Sequence, residues 1–483
     1  MQVPLVIRIL GLLMICFSSA NLPPILISLI FNDGATRPFI FSGLITLSVG
    51  LTLWFFTRKV NRDLRYKEGF LVVVLFWTVL GVIGALPFLL LESPDIRIAD
   101  AFFESMSGLT TTGATVIPKL SELPASVLFY RQQLQWMGGM GIIVLAVAIM
   151  PMLGVGGMQL FRAETPGPMK DNKLTPRITE TAKALWYVYA GLTLICALCY
   201  FLAGMNWFDA IGHAFSTIAI GGFSPHDASL GHFQNTRIEW IAVFFMIIAA
   251  MNFSLHFVAW KSRSLQRYLH DREIRALLLI VILASGLTYL ILVKDHVYNQ
   301  NIQAFQQAVF HVVSVFTTTG YTSSGFHWWP GALPVGLLML SFLGGCAGST
   351  AGGIKLLRIL LLYKQGKREI TRLVHPRAEI SIKLGGTPVS NDVMNSVWAF
   401  FSFYILSFIL IALAITAHGI DWVTAFSATA ACLNNLGPGL GDVSLHYGNL
   451  PSTAKSILTF AMLLGRLELF TLLVLFTSTF WRN

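Results

Sequence analysis

Asp100-Ala101-Phe102-Phe103-Glu104-Ser105-Met106-Ser107-Gly108-Leu109-Thr110-Thr111-Thr112-Gly113 returns in outline three more times along this chain. Aligned on its last glycine, the second copy reads Asp209-Ala210-Ile211-Gly212, then Ser216, then Ile218-Ala219-Ile220-Gly221-Gly222. The third reads Gln307-Ala308-Val309-Phe310, then Ser314, then Phe316-Thr317-Thr318-Thr319-Gly320. The fourth reads Thr424-Ala425-Phe426-Ser427, then Ala431, then Leu433-Asn434-Asn435-Leu436-Gly437. An alanine stands twelve residues before the glycine in every copy, and the glycines lie 109, 98 and 117 residues apart. One such match is weak, because Ala and Gly are common; four at a single offset mark an internal repeat.

Each copy sits between two long apolar runs. Runs able to cross about 30 Å of hydrocarbon fall near 5–31, 38–57, 70–91, 128–153, 184–204, 237–260, 274–294, 333–363, 395–417 and 453–480, ten in all. The chain is 55% hydrophobic and 12% charged, against about 25% charged in a soluble domain. The first run begins like a secretory signal, with Arg8 and then Ser18-Ser19-Ala20, but it continues through Leu22–Phe31. That exceeds an h-region of about 7–15 residues, so it reads as an uncleaved span.

The net charge of +10 comes from basic clusters between the runs. Arg58, Lys59, Arg62, Arg65 and Lys67 fill one loop; Arg162, Lys170, Lys173, Arg177 and Lys183 a second; Lys261, Arg263, Arg267, Arg272 and Arg275 a third. Lys364, Lys367, Arg368, Arg372, Arg377 and Lys383 fill the fourth. The alternate loops, which hold the repeats, carry few. The positive-inside rule places the clusters and both termini in the cytoplasm and the repeats outside. Loops facing cytoplasm and anionic lipid explain the basic balance, and no nucleic acid is implied. The five cysteines lie mostly inside apolar runs. Cys196-x-x-Cys199 lacks a second pair, so neither a disulfide nor a metal site is expected.

The repeats then acquire a physical reading. About ten residues make a helix half a membrane long. Asp100, Asp209 and Thr424 read as its N-caps, with Gln307 a poorer one. Descending from outside, the helix aims its partly negative C-terminus at the membrane middle, where a cation gains from it. The chain climbs back with its carbonyls free. Such backbone is tolerated at membrane depth only inside protein or along a watery path. A ring of these carbonyls replaces the hydration shell of an ion, and glycine supplies the positive φ that turns a carbonyl. The expected ring is Thr111, Thr112, Gly113, Ile220, Gly221, Gly222, Thr318, Thr319, Gly320, Asn435, Leu436 and Gly437, with the threonine hydroxyls as further oxygens. Four ordinary outer loops with turn glycines would not account for the common offset.

On these strings the chain resembles the TrkH/TrkG/KtrB family of microbial potassium-uptake subunits. The matching residues are Asp100–Gly113, Thr217–Phe223, Thr317–Gly320, Asn434–Gly439 and Gly465-Arg466-Leu467-Glu468. The resemblance covers the whole chain, including an N-terminal hairpin found in the TrkH and TrkG branch. It implies an all-α integral membrane fold with four M1-pore-M2 repeats around one pseudo-four-fold pore. The expected units are 1–68 for the hairpin and 69–162, 163–262, 263–384 and 385–483 for the repeats. It further implies K⁺ as the ion, with no organic cofactor, and a bacterial inner membrane. A homodimer with one pore per chain is implied too, with a TrkA-like cytosolic ring that binds NAD and ATP-type nucleotides. Repeats two and four depart from Thr-Thr-Thr-Gly, which predicts looser K⁺ over Na⁺ discrimination than four TVGYG strands provide.

Gly344-Gly345-Cys346-Ala347-Gly348-Ser349-Thr350-Ala351-Gly352-Gly353 interrupts the third-repeat inner run. Its five glycines each cost a helix up to about 1 kcal/mol relative to alanine. Close packing of small residues is one reading, and an unwound intramembrane loop is the other; the resemblance favours a gating loop. Lys355 and Arg358 are expected at the cytoplasmic interface. Arg466 and Glu468 sit deeper in the last run, where an ionisable group costs roughly 2.5–3.5 kcal/mol and faces a cavity or a partner. Arg466 resembles the arginine that obstructs the pore in the family; a salt bridge or carbonyl partner between helices is the structural alternative.

A membrane-embedded enzyme is a competing class. Asp209 and His213, at i and i+4, have metal-ligand spacing. But His311 and Glu104 take the same register in other repeats, and no nucleophile triad or HExxH string occurs. No Walker A string is present. An H⁺- or Na⁺-coupled symporter is compatible with the same repeats.

Overall fold

The computed structural model describes residues 2–60, 66–144, 174–384 and 387–482. Arg62, Arg65, Arg162, Lys170 and Lys173, the end of the fourth apolar run and the 162/163 boundary lie outside the described residues. Apart from a two-residue antiparallel pair, Lys383 opposite Pro388 and Leu384 opposite Thr387, the regular structure among them is helical.

The N-terminal hairpin is Val3–Ser18, a tight turn Ser19–Asn21 and Leu22–Phe31, followed by Thr36–Thr57. Its two legs meet where side chains are absent: a Cβ on Gly11 would stand 3.0 Å from the Gly50 carbonyl oxygen, and one on Gly50 3.0 Å from that of Gly11. Small residues let membrane helices approach at the backbone level. The hairpin is not a loose appendage. Asp33 accepts from the Ser126 N–H at 2.8 Å and Gln133 donates to the Ala20 carbonyl at 2.8 Å. Phe39, Trp77, Phe88 and Tyr130 share one buried cluster.

Four units of the same plan follow. Each has a long helix, a short helix and a second long helix that returns. The first is Tyr66–Gly84, Ile98–Leu109 and Ala125–Val144. The second is Leu174–Leu202, Trp207–Ile218 and Thr236–Ala249 continued by Phe253–Ser262. The third is Arg272–Lys294, Asn301–Phe316 and Leu333–Leu340, resumed as Leu356–Val374. The fourth is Asn391–Thr416, Trp422–Leu433 and Ser452–Arg466, resumed as Phe470–Leu473. Among the described residues, six helices are long and apolar enough to cross a membrane unaided. Among them are Thr36–Thr57, Arg272–Lys294 and Asn391–Thr416.

Among the described residues, three of the expected spans are broken rather than continuous. Thr236–Ala249 meets Phe253–Ser262 at 93°, and Ser452–Arg466 meets the segment Phe470–Phe476 at 109°. The third-repeat run holds no helix between Leu340 and Leu356. Asn252 starts the resumed helix of repeat two by accepting from the Ser254 N–H at 2.8 Å. In repeat four, Glu468 and Leu469 take positive φ (53° and 50°).

The short helices also start earlier than expected. Asn206 and Asp421 are the N-caps, accepting from the N–H of Asp209 and Thr424 at 2.8 and 3.0 Å. Arg97 and Gln300 precede the other two helices without a side-chain bond. Asp100, Asp209 and Thr424 are therefore third residues of their helices rather than caps, Asp209 and Thr424 being the donors that caps satisfy, and Gln307 lies inside its helix.

Candidate functional site: a ring of four limbs

Each short helix ends the same way. The residue two before the glycine has positive φ: Thr111 52°, Ile220 55°, Thr318 64° and Asn435 54°. The next N–H reaches back to the carbonyl five residues earlier, Thr112 to Ser107, Gly221 to Ser216, Thr319 to Ser314 and Leu436 to Ala431, at 2.8–2.9 Å. The positive-φ residue donates to Gly108, Thr217, Val315 and Cys432 in turn, at 3.0–3.3 Å. That pair of bonds is a Schellman C-cap, a place usually given to glycine. Here three of the four occupants are β-branched, where positive φ is a genuine outlier. The anchor glycines follow, again with positive φ: Gly113 81°, Gly222 76°, Gly320 81° and Gly437 97°.

The glycines also close the ring. A Cβ on Gly113 would lie 2.0 Å from the Gly221 carbonyl oxygen, one on Gly222 2.0 Å from that of Thr319, and one on Gly320 2.0 Å from that of Leu436. A Cβ on Gly437 would lie 2.6 Å from that of Thr112. Each limb thus presses its glycine against the carbonyl just before the next limb's glycine, in the order one, two, three, four and back to one. All twelve residues expected for the ring lie on these limbs.

A polar strut ties each limb to its own helix. In repeat one Glu104 accepts from the Val116 N–H (3.0 Å), from the Thr115 hydroxyl (3.0 Å) and from Arg131 Nε (2.7 Å). In repeat two His213 Nδ1 donates to the Asp209 carbonyl (2.8 Å), so Nε2 accepts from the Ser224 hydroxyl (3.0 Å). His311 reaches the Gln307 and Ser324 carbonyls, and Ser427 bonds both backbone groups of Leu440. The carboxylate of Asp209 is held by Asn206 and His226, both at its own end of the helix. Asp209 and His213 therefore do not converge on a common point, and the spacing is structural.

The threonine hydroxyls are mostly engaged. Thr112 bonds Thr110 and accepts from Asn435 Nδ2, Thr319 bonds Thr317, and Thr318 accepts from the Gly352 N–H at 2.7 Å. Thr111 Oγ1 is buried without a protein partner.

The Gly-rich segment lies directly against the helix ends that carry the ring. A Cβ on Gly352 would stand 1.9 Å from the Asn434 carbonyl oxygen, and the Gly353 N–H donates to that carbonyl at 3.1 Å. Thr350 Oγ1 donates to the Ile218 carbonyl at 3.0 Å. Gly344, Gly348 and Gly353 take positive φ. The segment also fills the break in repeat two: the Cys346 N–H donates to the Ala250 carbonyl at 2.9 Å, and the Phe253 N–H to the Gly348 carbonyl at 3.1 Å. The Gly345 carbonyl accepts from the Leu356 N–H.

Lys355 and Arg358 are buried within the protein. Lys355 donates to the Ser349 and Ala351 carbonyls, closing the segment on itself. Arg358 pairs with Glu468 at 2.5 Å and lies over the Phe400 ring. The segment's own carbonyls supply what water would have supplied. Arg466, also buried, donates to the Thr350 carbonyl at 3.0 Å and the Gly138 carbonyl at 3.4 Å, and its Nε has no partner. Of the two readings of Arg466, a carbonyl partner is present, and it is the Gly-rich segment itself.

Sequence reasoning missed the residues that hold the limbs from behind. Arg131, Gln132 and Gln135, on one helix, bond the Ser224, Phe223 and Gly221 carbonyls of repeat two at 3.1, 3.3 and 2.6 Å. Lys455 pairs with Asp100 at 2.6 Å, joining repeat four to repeat one. The available signal was a cluster of polar residues, Arg131-Gln132-Gln133-x-Gln135, inside an apolar run.

Comparison with known proteins agrees with this architecture. A family model described as a cation transport protein, TrkH, matches residues 36–482. The Trk system potassium uptake protein TrkH of Vibrio parahaemolyticus is 56% identical over 485 residues, covering all of both chains. That of Escherichia coli K12 is 55% identical over 476 residues, 99% of each. The more distant TrkG of the same strain is 40% identical over 482 residues, covering 100% of this chain and 99% of its own. The crystal structure of the potassium transporter TrkH from Vibrio parahaemolyticus superposes with a TM-score of 0.93 at 54% identity, covering all of both chains.

Proposed function

The chain belongs to the TrkH family of cation transport proteins, and from that premise we propose that it conducts K⁺ through the four-limb ring. It is a multi-pass helical membrane protein of a transport family, which sets the enzyme reading aside. The relatives are named as potassium uptake proteins of a Trk system. K⁺ enters from outside, sheds water against the limb carbonyls and meets the field of four helix C-termini.

The observation that carries the reading is the cyclic contact of glycine with the neighbouring limb's carbonyl at all four positions. Three of the four carbonyls accept no hydrogen bond from the described residues, and backbone left unpaired at membrane depth costs several kcal/mol per group unless something replaces water. A dehydrated cation does so. The filter residues are those of the ring. The segment 344–353 and Arg466 form the gate beneath it, with the Arg466 charge raising the barrier to cations. The chain sits in the inner membrane with both termini cytoplasmic, as a homodimer regulated by a TrkA-like nucleotide-binding ring. The basic cytoplasmic loops supply the charge for that contact.

The test is K⁺ flux into liposomes containing the purified chain, with and without the cytosolic partner. The expected result is K⁺ flux that the partner and its nucleotide change. Absence of K⁺ flux in both conditions overturns the proposal. The same vesicles, loaded with pH- and Na⁺-sensitive dyes, distinguish passive flux from symport.

A further inference from the structure

We propose that Gln135 sets the cation discrimination of the ring by occupying one of its four equivalent carbonyls, that of Gly221. The proposal rests on the reading of the ring as the cation path. The four carbonyls immediately before the anchor glycines belong to Thr112, Gly221, Thr319 and Leu436. Each is packed against the glycine of a neighbouring limb, within 2.0–2.6 Å of where a Cβ would stand. They are equivalent in register but not in partners. Gly221 accepts from Gln135 Nε2 at 2.6 Å. The other three accept no hydrogen bond from the described residues.

The orientation of the Gln135 amide is fixed by chemistry. Its Oε1 accepts from the Phe223 N–H at 3.0 Å while its Nε2 donates to Gly221. A flipped amide would set oxygen against oxygen and N–H against N–H. Gln135 is wholly buried, so this arrangement is not exchanged for water.

The sequence of repeat two makes room for it. A Cβ on Gly221 would stand 2.4–2.7 Å from the Gln135 amide atoms. The glycine that replaces threonine in Ile220-Gly221-Gly222 is therefore what admits the amide. The departure of this limb from the Thr-Thr-Thr-Gly string of repeats one and three has a physical purpose.

A carbonyl that already accepts an N–H presents a weaker field to a cation, and the amide hydrogens add positive partial charge beside it. At this level the ring offers three strong oxygens and one weak one. Discrimination of K⁺ from the smaller Na⁺ depends on the number and strength of such oxygens, so Gln135, acting through Gly221, is a positioning residue for selectivity.

The test uses the full-length chain in liposomes, with flux ratios of K⁺, Rb⁺ and Na⁺ measured for two variants. Gln135→Met removes both bonds with little change in length. Gln135→Glu, whose buried carboxyl stays neutral, keeps an O–H donor for Gly221 and an acceptor for the Phe223 N–H. Freeing the Gly221 carbonyl should raise the K⁺:Na⁺ ratio about five-fold in Gln135→Met, the equivalent of one neutral hydrogen bond, while Gln135→Glu should keep the parental ratio. Gln133→Met, on the same helix but bonded to Ala20, should leave the ratio unchanged. If Gln135 merely braces the limb, Gln135→Met will lose flux for all ions together at the parental ratio; that pattern overturns the proposal. A fall in the ratio in Gln135→Met overturns it as well. Absence of K⁺ flux in the parent chain would instead sink the reading of the ring itself.

Discussion

At the residue scale the ring depends on what four glycines lack. Alanine at positive φ costs roughly 1–2 kcal/mol in backbone strain alone. Its methyl would also stand 2.0 Å from a neighbouring limb's carbonyl oxygen at Gly113, Gly222 and Gly320, and 2.6 Å at Gly437. No rigid limb absorbs the first distance. Single alanine substitutions at the first three positions should lower K⁺ flux by at least about ten-fold, with Gly437→Ala the mildest. Gly336, in the helix Leu333–Leu340, has nothing within 4 Å of its Cβ position. Gly336→Ala should retain flux and gain up to about 1 kcal/mol of helix stability. Equal losses at all five positions, measured as liposome flux per folded protein, would contradict the steric account. The four glycines were legible because a repeat multiplies a weak signal. The positive φ of Thr111, Ile220 and Thr318 was not, because β-branched residues are the last that local preference would put there. Tertiary closure of the ring overrides it.

At the element scale, two ion pairs clamp the first short helix. Glu104 pairs with Arg131 on the helix that returns, and Asp100 pairs with Lys455 on a helix of repeat four. Arg131 also lies over the Phe223 ring at 4.1 Å and holds the Ser224 carbonyl, so it joins two limbs. Removing one partner of a buried pair strands the other, at about 3–5 kcal/mol. Arg131→Ala should therefore lower the unfolding midpoint in detergent well beyond Arg131→Lys. The double variant Glu104→Gln/Arg131→Met should recover part of the loss. A strictly additive double variant would show that the pair is not the cause. The fourth short helix starts at Asp421, whose carboxyl is held below its ordinary range by the Thr424 side-chain and backbone bonds. A lowered folded-state value means the cap contributes fully above about pH 3.9 and is lost as the pH falls through the lower value. Asp421→Ala should cost about 1 kcal/mol at neutral pH and nothing further in acid, as read from unfolding midpoints across that range. Sequence placed this cap three residues too late. The common offset highlighted Thr424, whose N–H is the cap's target, while the cap itself differs between repeats. The helix breaks were equally hidden in repeats two and four, since Ala250-Met251-Asn252 and Leu467-Glu468-Leu469 carry neither glycine nor proline.

At the scale of the whole molecule, the broken returns of repeats two, three and four meet below the ring. The segment between Leu340 and Leu356 bonds Ala250 and Phe253 at the repeat-two break. Its following helix carries Arg358 to Glu468 at the repeat-four break. Its centre touches three of the four short-helix ends, through Ile218, Thr318 and Asn434. Among the described residues repeat one contributes no break, and Arg466 bridges that side by reaching the Gly138 carbonyl while holding Thr350. The segment is thus fastened by backbone and side-chain hydrogen bonds, those of Thr318, Thr350, Lys355 and Arg466 among them, rather than by a packed helix, and such bonds are individually worth only about 0.5–1.5 kcal/mol. An element held this way can release without unfolding the bundle. On the proposed reading of the ring as cation path and the segment as gate, Arg466→Gln removes the charge and shortens the bridge, and should raise resting K⁺ flux at least about ten-fold, since even a modestly screened unit charge beside that path exceeds 1.4 kcal/mol. Deleting residues from 344–353 should act in the same direction through sterics. The two changes should not be additive, because either one opens the same barrier. If the arginine variant conducts as the parent does while the shortened segment conducts more, the segment gates alone and Arg466 is only its anchor. If neither changes the flux, the barrier lies elsewhere, and the convergence of the three breaks serves packing rather than control.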